Sequence, residues 1–139
     1  MQVLNTKVVF NAVKNNGGWA ITGDIDFNKI TLNIGNGMKS TGFVAPYSGH
    51  YKFSLSAMTG FKKWGIRNYV DVLLNGDVQF GIGDSNDGSK SDGNNFNYVW
   101  IMQVGKGQSV SLKIGSGSYL CADTDVPITF TGELVHLED

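Results

Sequence analysis

The sequence predicts an all-β protein, a sandwich of two antiparallel sheets. Three observations carry this. Apolar residues recur at every second position in several short runs, and no segment sustains a helical period. Gly is 19 of 139 residues, about double the usual share, and it falls between those runs, as turns require. Asn75-Gly76 separates two such runs, a strong hairpin signal.

Taken in order, residues 8–13 read as a strand, and Asn15-Asn16-Gly17-Gly18 as a loop. Residues 19–22 form a short strand, with Trp19 packing in the core or at an edge. Ile30, Leu32 and Ile34 alternate with Thr31 and Asn33, the pattern of a half-buried strand. Residues 35–37 turn the chain into the central stretch, 40–60, which reads as two strands joined by a tight turn. Pro46 cannot donate to a ladder and belongs at a strand end, and Gly49 closes the turn. Tyr51, Phe53, Leu55 and Ala57 then alternate with Lys52, Ser54, Ser56 and Met58. So large an apolar face requires an opposing layer. Residues 69–74 and 78–82 form a hairpin about Asn75-Gly76, and 83–95 is a long polar loop. Residues 96–104 are a strand, 105–107 a turn, and Val110, Leu112 and Ile114 mark the next strand. A second long loop covers 115–126, and Ile128, Phe130 and Leu134 close the sheet.

The strand at 96–104 is unusual. Phe96, Tyr98, Trp100, Met102 and Val104 line one face, but Val99 and Ile101 occupy the face that water would make polar. Such a strand is either covered twice within one chain or buried against another chain. Met58 and Leu73, on the polar phases of their strands, would extend that second apolar surface.

If the strands after His50 alternate simply in direction, the loops at 59–68, 83–95 and 115–127 share one end of the sandwich. The tight turns at 46–49, 75–76 and 105–108 share the other. Long loops on a rigid scaffold commonly carry function, so the recognition surface is expected at the long-loop end.

The chain is one domain, 1–139, with its core at about 8–137. Charged residues are 17% and the net charge is −1, so no basic field favours nucleic acid or an anionic membrane surface. No run is long and apolar enough to span a bilayer, the first residues do not read as a signal peptide, and no Gly-X-Y period marks a collagen stalk. The lone Cys121 has no internal disulfide partner. It is either a small buried apolar residue or a reactive or intermolecular thiol.

Thr41-Gly42-Phe43, Pro46, Gly49, Tyr51 and Phe53 resemble the centre of the complement C1q globular-head family, relatives of tumour necrosis factor. Residues 8–13 resemble its first strand, Asn75-Gly76 the hairpin after its fourth, and Leu120-Cys121-Ala122-Asp123 with Phe130-Thr131-Gly132 its C-terminal signature. The ordered set covers the chain from about 8 to 137 and is similar to invertebrate-type C1q-domain proteins. The resemblance implies a ten-stranded, two-sheet jelly roll that assembles as a homotrimer and is secreted. It also implies that Cys121 fills a site where the family often carries Tyr, and it favours burial of Val99 and Ile101 in the trimer.

The loop at 83–95 holds Asp84, Asp87 and Asp92. The run Asp84-Ser-Asn-Asp-Gly fails the EF-hand frame, because Gly88 falls where a ligand is needed and no Glu follows at the twelfth position. Calcium-binding trimeric relatives carry two Asp in this loop, eight residues apart, the second twelve residues before a Val-Gly turn. Asp84, Asp92 and Val104-Gly105 reproduce that spacing, so the resemblance implies Ca2+ on Asp84 and Asp92. A solvated acidic turn is the plainer reading.

The loop at 59–68 combines Lys62, Lys63 and Arg67 with Phe61 and Trp64. An aromatic face stacks on a sugar's C–H face, and cations pair with sialic or uronic carboxylates. Tyr119 would lie nearby, with Asp123 and Asp125. The plainer reading has Trp64 pinning its own loop. His50 and His136 lack metal-ligand spacing, the single Cys has no adjacent base, and no Walker-type loop occurs, so no enzyme is expected. Two functions fit: a lectin-like, innate-immune module binding glycans or microbial surfaces, or a trimeric head that binds a protein receptor or assembles a scaffold.

Overall fold

The computed structural model describes residues 6–59, 68–83 and 95–138. In chain order the strands are β1 (Val9–Lys14), β2 (Gly18–Ile21), β3 (Gly23–Asp24), β4 (Lys29–Ile34), β5 (Met38–Lys39), β6 (Gly42–Val44), β7 (Gly49–Thr59), β8 (Tyr69–Leu74), β9 (Asp77–Gly83), β10 (Asn95–Val104), β11 (Ser109–Ile114), β12 (Leu120–Ala122) and β13 (Ile128–Leu137). No helix occurs among the described residues.

These segments form two antiparallel sheets of five columns each. The first runs β4, β1, β13, β7, β10, with β2 and β12 continuing the β1 and β13 columns. The second runs β5, β6, β11, β8, β9, with β3 on the β6 side of β11. The fold is the expected all-β, ten-stranded, two-sheet jelly roll.

Alternation along β7 sends Tyr51, Phe53 and Leu55 inward, each fully buried. They meet Phe43 from the second sheet, whose ring lies 5.1 Å from Tyr51 and 5.0 Å from Phe10. Phe53 stacks on Phe130 at 5.7 Å and packs against Trp100 at 5.5 Å. Burying one such ring contributes about 1.5–3 kcal/mol, so this aromatic seam is the main tie between the layers.

Two expectations need correction, and a third gains detail. The two strands of the central stretch, joined by a tight turn, lie in different layers: β6 pairs with β5 and β11, whereas β7 lies in the other sheet. The link between them is a crossing, held against the parallel crossing at 105–108. Ala45 N–H donates to Gln108 O (3.0 Å), Gly107 N–H to Ala45 O (2.9 Å) and Lys106 N–H to Ser48 Oγ (2.8 Å). The stretch 115–126 is not one long loop, because β12 interrupts it. Leu120, Cys121 and Ala122 are wholly buried against Met58 and Thr59 of β7, which settles Cys121 as a core residue. Finally, β4 is an edge strand paired only to β1, and Ile30, Leu32 and Ile34 are 37%, 41% and 39% exposed rather than half-buried under a neighbour.

Candidate functional site

The ladder registers fix which loops share an end. Met58 pairs with Asn95, and Thr59 with Leu120, so β7 ends where β10 and β12 begin. Tyr69 pairs with Gly83, and Gly115 N–H donates to Tyr69 O (2.8 Å), so β8 begins where β9 and β11 end. The anchors of 60–67, of 84–94 and of the 115–119 connection therefore sit at one end. The tight turns at 45–48, 75–76 and 105–108 sit at the other, as the alternation of strands predicts. At 75–76 the positive φ values of Asn75 (51°) and Gly76 (85°) are those of a type I′ hairpin turn.

Of the residues expected to bind ligand, Tyr119 is described; Lys62, Lys63, Trp64 and Arg67 lie outside the described residues. So do Asp84 and Asp92, the expected calcium ligands. Tyr119 is half-buried, and its N–H donates to Asn68 Oδ1 at 2.9 Å. Tyr69 N–H donates to Ser118 Oγ at 3.1 Å, and Ser118 N–H to Gly115 O at 2.9 Å. Asn68 and Ser118, both fully buried, thus clamp the start of β8 to the 115–119 connection. Sequence reasoning missed both, because single polar residues in a Gly- and Ser-rich stretch look like any solvated loop. Asp123 and Asp125 lie in a tight turn that Asp123 and Val126 close by exchanging backbone bonds of 3.1 and 3.2 Å, and Asp123 Oδ1 accepts from Thr124 N–H. Among the described residues no group of three or more His, Cys, Asp or Glu is placed to hold a metal ion.

A second surface stands out on the outward face of the first sheet. Two rows cross all five columns: Val99, Ser54, Thr131, Asn11, Leu32, and beside it Ile101, Lys52, Glu133, Val9, Ile34. Each row is apolar at its β10 edge and at its β4 edge, with polar groups on β7 and β13 between them. Val99 is 56% and Ile101 63% exposed, so no described element of the same chain covers them. Between the edges runs a groove of about 340 Å³, lined by Val9, Leu32, Ser54, Val99 and Thr131. Met58, by contrast, is buried within the chain, where β7 pairs with β12. At the short-turn end of this face His50 Nδ1 lies 3.0 Å from Glu138 Oε1, Gln103 Nε2 donates to Glu138 Oε2 (2.8 Å), and the His136 ring lies 5.9 Å from that of His50.

The architecture is that of the C1q/tumour necrosis factor class of jelly rolls. The globular domain of zebrafish complement 1qA protein matches with a TM-score of 0.73 at 20% identity, over 95% of this chain and 99% of its own. Murine APRIL matches with a TM-score of 0.65 at 13% identity, over 90% and 98%. No family model matches the sequence, and no curated protein matches it either. At these identities the likeness shows the fold. No helix among the described residues is long and apolar enough to cross a membrane.

Proposed function

We propose that this chain is the head of a secreted homotrimer that binds glycans or microbial surface ligands at its long-loop end, without catalysis. One observation carries the reading: the anchors of 60–67, 84–94 and 115–119 converge on one end of a rigid sandwich. The segments between those anchors hold Lys62, Lys63, Trp64 and Arg67, and Asp84 and Asp92, with Tyr119 at their rim.

Assembly is supported by the two apolar stripes on the first sheet. They lie at opposite edges of one face, four strand spacings or about 19 Å apart. A β10 edge seated on the β4 side of the next copy is a heterologous contact, which closes into a ring when the rotation allows. The C1q-like architecture favours three copies in that ring. Three weak sites on one face then gain avidity through effective concentration.

Calcium on Asp84 and Asp92 belongs to the same proposal: three acidic loops at one end repel one another until a cation offsets their charge. The test is a glycan array probed with the intact protein in calcium and in chelator, beside the Trp64→Ala variant. Binding that falls in the variant supports the reading. A blank array together with capture of a protein partner, uncompeted by sugars, supports a receptor-binding head instead.

A further inference from the structure

The outward face of the second sheet holds a groove of about 530 Å³, bounded by Tyr69, Asp71, Leu73, Lys113 and the backbone of Gly115. Strand alternation builds it. Val70 and Val72 of β8, and Leu112 and Ile114 of β11, point into the core, which turns Tyr69, Asp71 and Lys113 outward.

The Tyr69 ring lies flat on the chain. A Cβ built on Gly115 would stand 2.2 Å from Cε2 and Cζ and 2.6 Å from Cδ2. Three ring carbons that nearly equidistant place the point over the ring rather than beyond its edge. One face of the ring therefore rests on Gly115, and the other faces the groove.

Asp71 and Lys113 are direct partners across the β8–β11 ladder, where opposed Cβ atoms stand about 5 Å apart. Neither makes a hydrogen bond or ion pair with another described residue; the one ion pair among those residues joins His50 and Glu138. A free acceptor and a free donor thus stand beside an aromatic face. Lys113 is also opposite Asp24 of β3, so two carboxylates face one ammonium.

We infer that this groove is a second carbohydrate site, taking a neutral hexopyranose whose C–H face stacks on Tyr69. Adjacent hydroxyls donate to Asp71 and accept from Lys113. The net negative surround of Asp71, Lys113 and Asp24 rejects sialic and uronic acids, which suit Lys62, Lys63 and Arg67 instead. The groove lies on the sheet opposite the proposed assembly face, so it stays open in a ring of copies. The ligand class rests on the glycan reading above.

The experiment uses the intact protein with methyl glycosides of glucose, galactose, mannose and N-acetylglucosamine, read by saturation-transfer NMR at millimolar sugar. At least one is expected to bind, with transfer strongest to its ring C–H protons. Asp71→Asn and Lys113→Met should each weaken it about tenfold, the loss expected for a hydrogen bond to a charged group. Tyr69→Ala, which removes the stacking ring, should weaken it likewise, whereas Glu138→Gln, at the short-turn end and outside both sites, should leave it unchanged. Binding lost in Trp64→Ala but kept in Asp71→Asn and Lys113→Met overturns the groove and leaves the long-loop site standing. No binding of any of the four glycosides overturns the groove. If a mixed array of sialylated and neutral glycans is blank as well, the glycan reading falls with it.

Discussion

Single residues decide how tightly the two layers close. Gly132 lies where β13 passes under the aromatic seam, and a Cβ there would come 2.3 Å from Phe10 Cε2 and 2.9 Å from Phe53 Cδ1. Both rings are fully buried and pinned by other rings, so neither can yield cheaply. Gly132→Ala should cost about 1–3 kcal/mol, the usual scale for overpacking a core. Chemical denaturation should show a lower midpoint with an unchanged slope. Cys121 and Tyr51 give a second residue-scale expectation. Burial pushes the Cys121 thiol up, with the Asp123 carboxylate adding to it, and burial likewise raises the Tyr51 hydroxyl. Across the window between the ordinary value of each group and its raised value, the folded state holds more protons than the unfolded one. Stability therefore falls as pH rises through that window. Melting temperature should decline on the alkaline side, and iodoacetamide should label Cys121 slowly at neutral pH until the protein unfolds. Neither the constraint on Gly132 nor the burial of Cys121 is written in the local sequence; each depends on which strand lies across it.

At the scale of elements, the strands with sustained alternation were legible. β7, β8 and β11 follow their period-two patterns closely because each buries one face on the opposite sheet, whereas β10 keeps the period but buries Phe96, Trp100 and Val104 and leaves Tyr98 exposed. β3 and β5, two residues each, leave no period to detect, and β12 is three buried residues between polar turns. The turn between β6 and β7 is legible in the sequence, but not that it crosses between layers, because a short turn looks the same whether the chain returns beside itself or passes to the other layer. β10 is the instructive case. Its second apolar face was visible in the sequence, and the two readings of it divide on exposure: Val99 and Ile101 are open in the single chain. Ile101→Asp should therefore leave the fold intact and break assembly, because an unpaired carboxylate at a buried contact is costly. Light scattering should give three chains for the wild type and one for the variant, with unchanged circular dichroism. A wild type that scatters as a single chain at micromolar concentration would remove the trimer from the proposal.

For the whole molecule, the topology turns scattered loops into one surface. The alternation of strand directions, legible in the sequence, assigns the loops that carry Trp64, Asp84 and Tyr119 to one end, and the ladder registers place the anchors of those loops there. The expected ligand residues were legible only as residue types in long loops, since their relative geometry depends on three separate segments. The same convergence bears on calcium. One chain brings Asp84 and Asp92, whereas calcium takes six to eight oxygens, so backbone carbonyls, waters or neighbouring copies must complete the shell. The unfolded monomer offers no such arrangement. Calcium should therefore stabilise the assembly by mass action, by about 2.7 kcal/mol at a hundredfold excess over its dissociation constant. Thermal unfolding in calcium and in chelator, for the wild type and for Asp84→Asn/Asp92→Asn, measures this. The wild type should melt higher in calcium, and the double variant should not respond. Equal melting temperatures in the wild type would argue against a site on these two residues. A calcium shift that persists in the double variant would move the metal to Asp123 and Asp125, whose tight turn borders the same end of the sandwich. The aromatic seam ties the layers without any metal, so the chelated protein should stay folded, with calcium acting on assembly and on ligand binding.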